Sequence, residues 1–312
     1  MKRRSTSADV ARAAGVSRST VSFVLNETPG QTISADVRTR VIREAARLKY
    51  TPDANARALA RGSNRIVLVP LPGWPVEYAL RQILDEAASA LDAAGHILVT
   101  STRRPRSTAR PLWETLQPDV VLPIEPLSKD ETSAIRRLGI RIAGGWPEAS
   151  VRISAVDAQI SHLLAAGHRS LAYASTAVDA FAPMNDARLS IARRVCAQAG
   201  ASLLDATIDD RTVGEVLARW REDSVTAVAA FNDDTAAAVV GEAVRSGLRV
   251  PDDIAVIGHD DAPIARMLIP SLTTVRFDLT GLGRQLASIA LASGEEQPPA
   301  MTGAEIIRRE SA

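Results

Sequence analysis

Residues 8–26, Ala-Asp-Val-Ala-Arg-Ala-Ala-Gly-Val-Ser-Arg-Ser-Thr-Val-Ser-Phe-Val-Leu-Asn, admit few folds. They make two short helical patterns hinged at Gly15-Val16-Ser17, the outline of a DNA-reading helix-turn-helix. Ser7 is placed to cap the first helix and Ser17 the second, each offering a side-chain oxygen to an orphan N–H. Gly15 falls where the chain must leave the first helix tightly, a turn that glycine makes without strain. On the second helix Val21, Val24 and Leu25 share an inward face, which leaves Arg18, Ser19, Ser22, Phe23 and Asn26 outward. Arg18 can grip a guanine edge with two hydrogen bonds, and Phe23 can only pack, on a thymine methyl or a sugar wall. Arg18, Ser19 and Phe23 are therefore the expected base readers, with Ser17, Thr20, Ser22 and Asn26 positioning phosphates.

Charge supports this placement. Residues 1–63 hold 12 Lys/Arg against 5 Asp/Glu, whereas the rest of the chain holds 25 against 31. The formal net charge of +1 thus hides a basic head on an acidic body, as phosphate attraction at one end requires. Ser34 opens a third helix with Val37, Val41, Ala45 and Leu48 on one side, closing a three-helix core. Of Arg38, Arg40, Arg43, Arg47 and Lys49 on its other faces, most are expected in solvent and one or two on phosphate.

Pro52 ends that helix, Asp53 is a ready N-cap and Gly62 a ready stop. The intervening segment spans about two turns, too short to persist alone in water. It reads either as a plain linker or as a hinge helix that folds when two chains meet on DNA. In the second reading Asn55, Ala56, Arg57 and Leu59 lie at the minor groove, with Leu59 as an apolar wedge.

The run Gly15-Val16-Ser17-x-x-Thr20-Val21-Ser22-x-Val24-Leu25-Asn26, followed by Tyr50-Thr51-Pro52 and Ala56-Arg57-Ala58-Leu59, resembles the head and hinge of the LacI/GalR transcription regulators. Further matches are Gly167-His168-Arg169, Asn232-Asp233-Asp234, the block Val250 to Asp261, Leu272-Thr273-Thr274-Val275 and Arg309-Glu310-Ser311, the last resembling the family's closing strand. The resemblance implies a homodimer on a palindromic operator, two half-sites about one helical turn apart, and an effector held between two lobes. It also implies a helix near 280–293 that returns to the first lobe. No heptad segment follows Ala312, which favours a dimer over a tetramer.

The body alternates apolar strands with helices: Arg65–Val69, His96–Thr100, Val120–Pro123 and Arg141–Ala143, then Ser170–Ala174, Ala227–Ala230 and Ile254–Ile257. Such alternation predicts parallel sheets with helices on both faces. The expected fold is an all-α three-helix head plus hinge helix, followed by an α/β two-lobed domain like the periplasmic binding proteins. Its expected divisions are residues 1–50 for the head, 51–63 for hinge and linker, and 64–312 for effector binding and dimerisation.

In the family, an Arg, an Asn-Asp pair and an Asp contact the effector. The matching residues are Arg188, Asn232, Asp233 and Asp260. A guanidinium, an amide and a carboxylate converging from strand ends can pair a polyol's hydroxyls or the edge of a flat ring. Local roles stand beside these: Asp233 and Asp260 as caps of the helices that follow, Asn232 as a loop partner. The chain departs from the family at Gly145-Trp146, at Trp74-Pro75-Val76-Glu77-Tyr78, at Val151, and in a shortened stretch between 100 and 120. Trp146 and Trp74 offer stacking faces for a sugar or a flat heterocycle. The alternative is a regulator of the same fold whose cleft answers a protein partner or nothing.

Other classes fit poorly. A transport receptor would need a secretory leader and no basic head; no apolar run approaches the roughly 20 residues that span a bilayer. Nothing resembles a nucleophile elbow or a phosphate-binding glycine loop. Four histidines and the single Cys196 show no metal-ligand spacing, and a lone cysteine suits the cytoplasm. No cofactor, metal or enzyme activity is expected.

Overall fold

The computed structural model describes residues 5–26, 30–50, 63–71, 73, 75–102, 110–144, 148–292 and 303–312. The chain divides into two compact units, residues 1–65 with 117–119, and residues 66–116 with 120–312. The hinge residues Asn55, Ala56, Arg57 and Leu59, and the tryptophans Trp74 and Trp146, lie outside the described residues.

The first unit holds α1 (Ser7–Ala14), α2 (Arg18–Leu25) and α3 (Ala35–Arg47). Their shared core is Val10, Ala14, Val21, Val24, Val41 and Ala45, with Val37 and Leu48 packed against it. The cap of α1 is Thr6 rather than Ser7. Thr6 and Asp9 form a reciprocal capping box: the Asp9 N–H donates to Thr6 Oγ1, and Asp9 Oδ2 takes the Thr6 N–H at 2.9 Å. Ser7 becomes the first helical residue because only Thr6 has an acid three positions on.

Two open parallel sheets build the second unit. The first joins β1 (Ile66–Leu71), β2 (Ile97–Thr102), β3 (Val120–Val121) and β4 (Arg141–Ile142) in the order β2-β1-β3-β4. The second joins β5 (Ser170–Thr176), β6 (Ser202–Ile208), β7 (Ala227–Ala230) and β8 (Ala255–Ile257) in the order β6-β5-β7-β8. Side chains alternate across each sheet. Val67, Val69 and Leu71 of β1 enter one core with helix α4 (Tyr78–Ala93), while Leu68 enters the other with Trp113 and Ile135. In the second lobe Ala172 and Ala174 face Trp220 and Val239, and Leu171 and Tyr173 face Val156 and Leu163.

Helix α5 is Leu112–Leu116, α6 Lys129–Arg137, α7 Glu148–Ala165, α8 Ala182–Gln198, α9 Val213–Glu222, α10 Asp233–Arg245, α11 Ile264–Met267 and α12 Leu279–Leu291. The last of these returns to the first lobe as expected, burying Leu282, Leu286, Ala287 and Ala290 in the core that α4 lines. The two helices approach backbone to backbone at Gly283, where a Cβ would stand 2.6 Å from the Ile83 carbonyl oxygen.

A two-stranded antiparallel ribbon, β9 (Thr274–Arg276) with β10 (Glu305–Ile307), completes the fold. The last strand is therefore Glu305–Ile307 and not Arg309–Ser311. Residues 309–311 are held by a mixture of backbone and side-chain bonds: Ser311 accepts the Val256 N–H on its carbonyl at 2.8 Å and donates its hydroxyl to the Val256 carbonyl at 2.6 Å. No helix among the described residues is long and apolar enough to cross a membrane.

Candidate nucleic-acid interface and inter-lobe cleft

The turn between α1 and α2 is fixed by local bonds. Gly15 adopts φ +66° and donates its N–H to the Ala11 carbonyl, and Val16 donates to the same oxygen at 3.0 Å. Ser17 caps α2, accepting the Thr20 N–H at 3.0 Å and sharing a hydrogen bond with its hydroxyl at 2.9 Å. Arg40 reaches from α3 to the Ala14 carbonyl at 2.9 Å and to Asp36 at 3.2 Å, closing the end of α1. Arg40 is thus taken up within the head.

With Val21 and Val24 buried, α2 leaves Arg18, Ser19 and Ser22 exposed and Phe23 half-exposed. Arg18 is its first residue, so its guanidinium sits at the end where the helix dipole and free N–H groups already attract phosphate. Asn26 ends the helix and donates Nδ2 to Ser22 Oγ at 3.0 Å. The candidate readers and phosphate-positioning residues therefore lie on one helix, with Ser17 and Thr20 paired to each other at its start and Ser22 and Asn26 at its end.

In both sheets the first strand lies between the second and the third, so the connections leave in opposite directions from its end. That switch point is where open α/β sheets bind ligands. At the end of β1 the chain enters α4 through Glu77. At the ends of β7 and β8 lie Asn232 and Asp260, and α8, which follows β5, carries Arg188. Gln159 of α7 braces these strand ends, donating its Nε2 to the carbonyls of Ala230, Ile257 and Gly258 at 2.9, 3.2 and 3.0 Å.

Asn232 works in two directions. Its Oδ1 caps α10 by accepting the Thr235 N–H at 2.8 Å, and its Nδ2 crosses the cleft to Glu77 Oε2 at 2.9 Å. In the sequence Glu77 stands out only within Trp74-Pro75-Val76-Glu77-Tyr78, a departure from the family. Its weight comes from the other lobe and leaves no local signal. Burial pushes the Glu77 carboxyl up to about 6; the Asn232 hydrogen bond opposes this, and the charges of Asp260 and Asp234 add to it.

Arg188 is 6 % exposed, donates to the Phe231 carbonyl and lies 4.6 Å from the Phe231 ring centroid. Asp260 receives a 2.7 Å hydrogen bond from His259 Nδ1, whose ring is held neutral because burial, then the Arg188 charge, lowers its pKa. Asp260 and Asp261 both have positive φ, 107° and 50°, an arrangement disfavoured for residues with a Cβ. Neither aspartate of the candidate set caps a helix: Asn232 caps α10, and Pro263 precedes α11.

Asp233 points elsewhere. It is 1 % exposed, and its oxygens accept the Ala262 N–H at 2.6 Å and the Thr274 hydroxyl at 2.5 Å. Burial raises its pKa to about 7, against the Thr274 bond. Its carboxylate is committed inside the lobe, which leaves Asn232 as the member of the pair in the cleft. Arg188 Nε, His259 Nε2, Tyr173 Oη and Asn185 Oδ1 are buried with no hydrogen-bond partner among the described residues, so polar capacity remains at these strand ends.

Residues 6–53 match the family described as bacterial regulatory proteins, lacI family, and residues 160–312 match the periplasmic binding protein-like domain. The chain is 30 % identical over 339 residues to the HTH-type transcriptional regulator GalR of Escherichia coli (strain K12), covering 97 % of this chain and 94 % of that protein. It is 29 % identical to the ribose operon repressor of Bacillus subtilis (strain 168), over 96 % of this chain and 94 % of that one. A crystal structure of the Lac repressor dimer bound to operator and the anti-inducer ONPF superposes with a TM-score of 0.80 at 22 % identity, covering 99 % of each chain.

Proposed function

Because this chain belongs to the lacI family of bacterial regulatory proteins and is a DNA-binding transcriptional regulator, we propose that two copies bind a palindromic operator, each laying α2 in a major groove. Arg18 reads a guanine there, Phe23 packs beside it, and Ser19 completes the reading face. Ser17, Thr20, Ser22 and Asn26 set the helix against phosphates. The observation that carries this reading is the division of α2 into a buried Val21/Val24 side and an exposed Arg18/Ser19/Ser22 side. The hinge, with Leu59 as a minor-groove wedge, joins the proposal from the sequence alone.

The dimer draws support from the second lobe, where Met267 and Ile269 are 76 % and 88 % exposed, an apolar patch that water does not favour. The regulator works as a repressor in the cytoplasm. A small-molecule effector in the cleft, held by Arg188, Asn232 and Asp260, changes its DNA affinity; Trp146 and Trp74 join the proposal as stacking faces from the sequence alone. To bind, the effector competes with Glu77 for the Asn232 amide. Such a ligand shifts the DNA-competent state only as far as its affinity for the two lobe arrangements differs.

Selection of bound duplexes from a random DNA pool tests the DNA reading. Full-length protein is expected to return a palindrome with fixed half-site spacing. Arg18→Ala is expected to weaken that site by about 1–3 kcal/mol and to relax one base position in each half. A loss spread evenly over all sequences would reassign Arg18 to phosphate. Recovery of no motif would overturn the operator reading itself.

A further inference from the structure

A cavity of about 490 Å³ lies where the chain passes from β9 into α12, bounded on one side by α4 and on the other by the Asp260–Asp261 turn and β10. Its wall carries four carboxylates, Asp260, Asp261, Asp278 and Glu305, against one guanidinium, Arg276. Most of this charge is already engaged. Arg276 pairs with Glu305 at 2.8 Å and with Asp261 at 3.5 Å, and Arg309 also pairs with Asp261. Asp278 caps α12 by accepting the Gly281 N–H at 2.7 Å.

Asp260 is the exception. One oxygen meets the His259 imidazole, and the other has no hydrogen-bond partner among the described residues. Aromatic surface stands beside it: Tyr78 and Phe277 line the same cavity, and the His259 ring lies 5.5 Å from that of Phe277. His259, 1 % exposed and touching both Asp260 and Phe277, keeps its Nε2 buried without a partner. Across the cleft Glu77, next to Tyr78 in the chain, adds another carboxylate. An anion would meet repulsion from these carboxylates, and a neutral polyol would leave the free Asp260 oxygen with no direct ionic partner, the Arg188 guanidinium being bonded to the Phe231 carbonyl. Carboxylate beside aromatic faces is the chemistry that holds an ammonium group.

We propose that this cavity receives a small organic cation, a protonated primary amine, with the free Asp260 oxygen as its counter-ion and the Tyr78 and Phe277 rings as its walls. The inference rests on the cleft reading in that Asp260 serves both, and it gives the effector a charge. The volume lies within the range that holds drug-sized ligands, so the amine can be carried on a sugar ring or a short chain.

Calorimetric titration of the full-length protein tests it with two amines, glucosamine and 1,4-diaminobutane, each set against its neutral counterpart, glucose and 1,4-butanediol. At least one amine is expected to bind about tenfold or more tightly than its counterpart, and Asp260→Asn to bring the two near parity. Tyr78→Leu, which leaves every carboxylate in place, is expected to weaken the amine several-fold and serves if the Asp260 variant does not fold. Equal binding of amine and neutral compound, or no binding of either amine, overturns the proposal. Operator binding measured with each bound compound separates the two readings. A neutral compound that binds as tightly as its amine and alters operator affinity keeps the effector cleft and removes the cation. An amine that binds without altering operator affinity keeps the cation site and removes the cleft as its control.

Discussion

Replacing Asp233 with asparagine is expected to raise the melting temperature of the protein at pH 8 by clearly more than at pH 5. The Asp233 carboxyl is buried, and burial raises its pKa from 3.8 to about 7. An acid whose folded-state pKa lies above its unfolded value is fully compatible with folding below pH 3.8, and the stability is lost as pH climbs through about 7. At pH 8 the native state holds an ionised group that the unfolded chain hydrates freely. Asparagine has the same shape and no charge; its oxygen can take the Ala262 N–H and its amide can donate to the Thr274 hydroxyl. The advantage of the variant should therefore grow by about 2–3 kcal/mol between pH 5 and pH 8. For a unit of this size that is roughly 5–10 °C of extra shift. Thermal denaturation of both proteins at the two pH values decides it; a shift independent of pH would mean that Asp233 bears no charge penalty.

Gly283→Ala is expected to destabilise the protein by about 1–3 kcal/mol or more, although alanine is ordinarily the better helix former by about 1 kcal/mol. At this position the added Cβ would lie 2.5 Å from Glu86 Cβ, 2.6 Å from the Ile83 carbonyl oxygen and 3.0 Å from the Ala87 nitrogen. Two of the three are backbone atoms of α4, so the helices must part and the Leu282/Leu286 contact with them. Gly214 in α9 provides the contrast. Its new Cβ would meet only the Glu242 carboxylate, 3.3 Å away on a flexible side chain, and Gly214→Ala should be neutral or stabilising. Denaturant unfolding of the two variants compares them directly; equal effects would remove the close-approach explanation.

Where the determinant of a feature is local, the sequence shows it. Gly15 and Ser17 mark the turn because a positive φ and an N-cap are properties of single residues, and Thr6 could have been preferred to Ser7 from Asp9 three positions on. The alternation of Val67, Leu68 and Val69 foretells a strand covered on both faces. Strand β6 is harder to read, since Ser202–Ile208 at the sheet edge mixes exposed and half-buried residues without a clean period. Arg309–Ser311 resembles a strand and behaves partly like one, yet its bonds to β8 and Thr273 run largely through hydroxyls: Ser311 Oγ meets the Thr273 N–H and the Val256 carbonyl, and the Arg309 N–H donates to Thr273 Oγ1. Glu77 and the inward turn of Asp233 depend on partners far along the chain, Asn232 in one case and Ala262 with Thr274 in the other. Side-chain type alone cannot announce such partners; Asp233 beside Asn232 offers the same chemistry to a ligand as to a buried loop.

The return of α12 to the first lobe also bears on how the molecule is made. The core shared by α4 and α12 joins segments separated by the whole second lobe, a contact of high sequence separation. Strands β5 to β8 and their helices, by contrast, follow one another without interruption. A chain emerging from the ribosome can thus assemble the β5–β8 sheet from consecutive parts, with residues 304–312 sealing its edge last, while the first sheet, though translated earlier, waits for residues 279–291 to complete the core around Leu84 and Leu91. The sheet made first is thus the one whose helical cover must be awaited across the whole second lobe, and the apolar side of α4 is the surface left open in the interval.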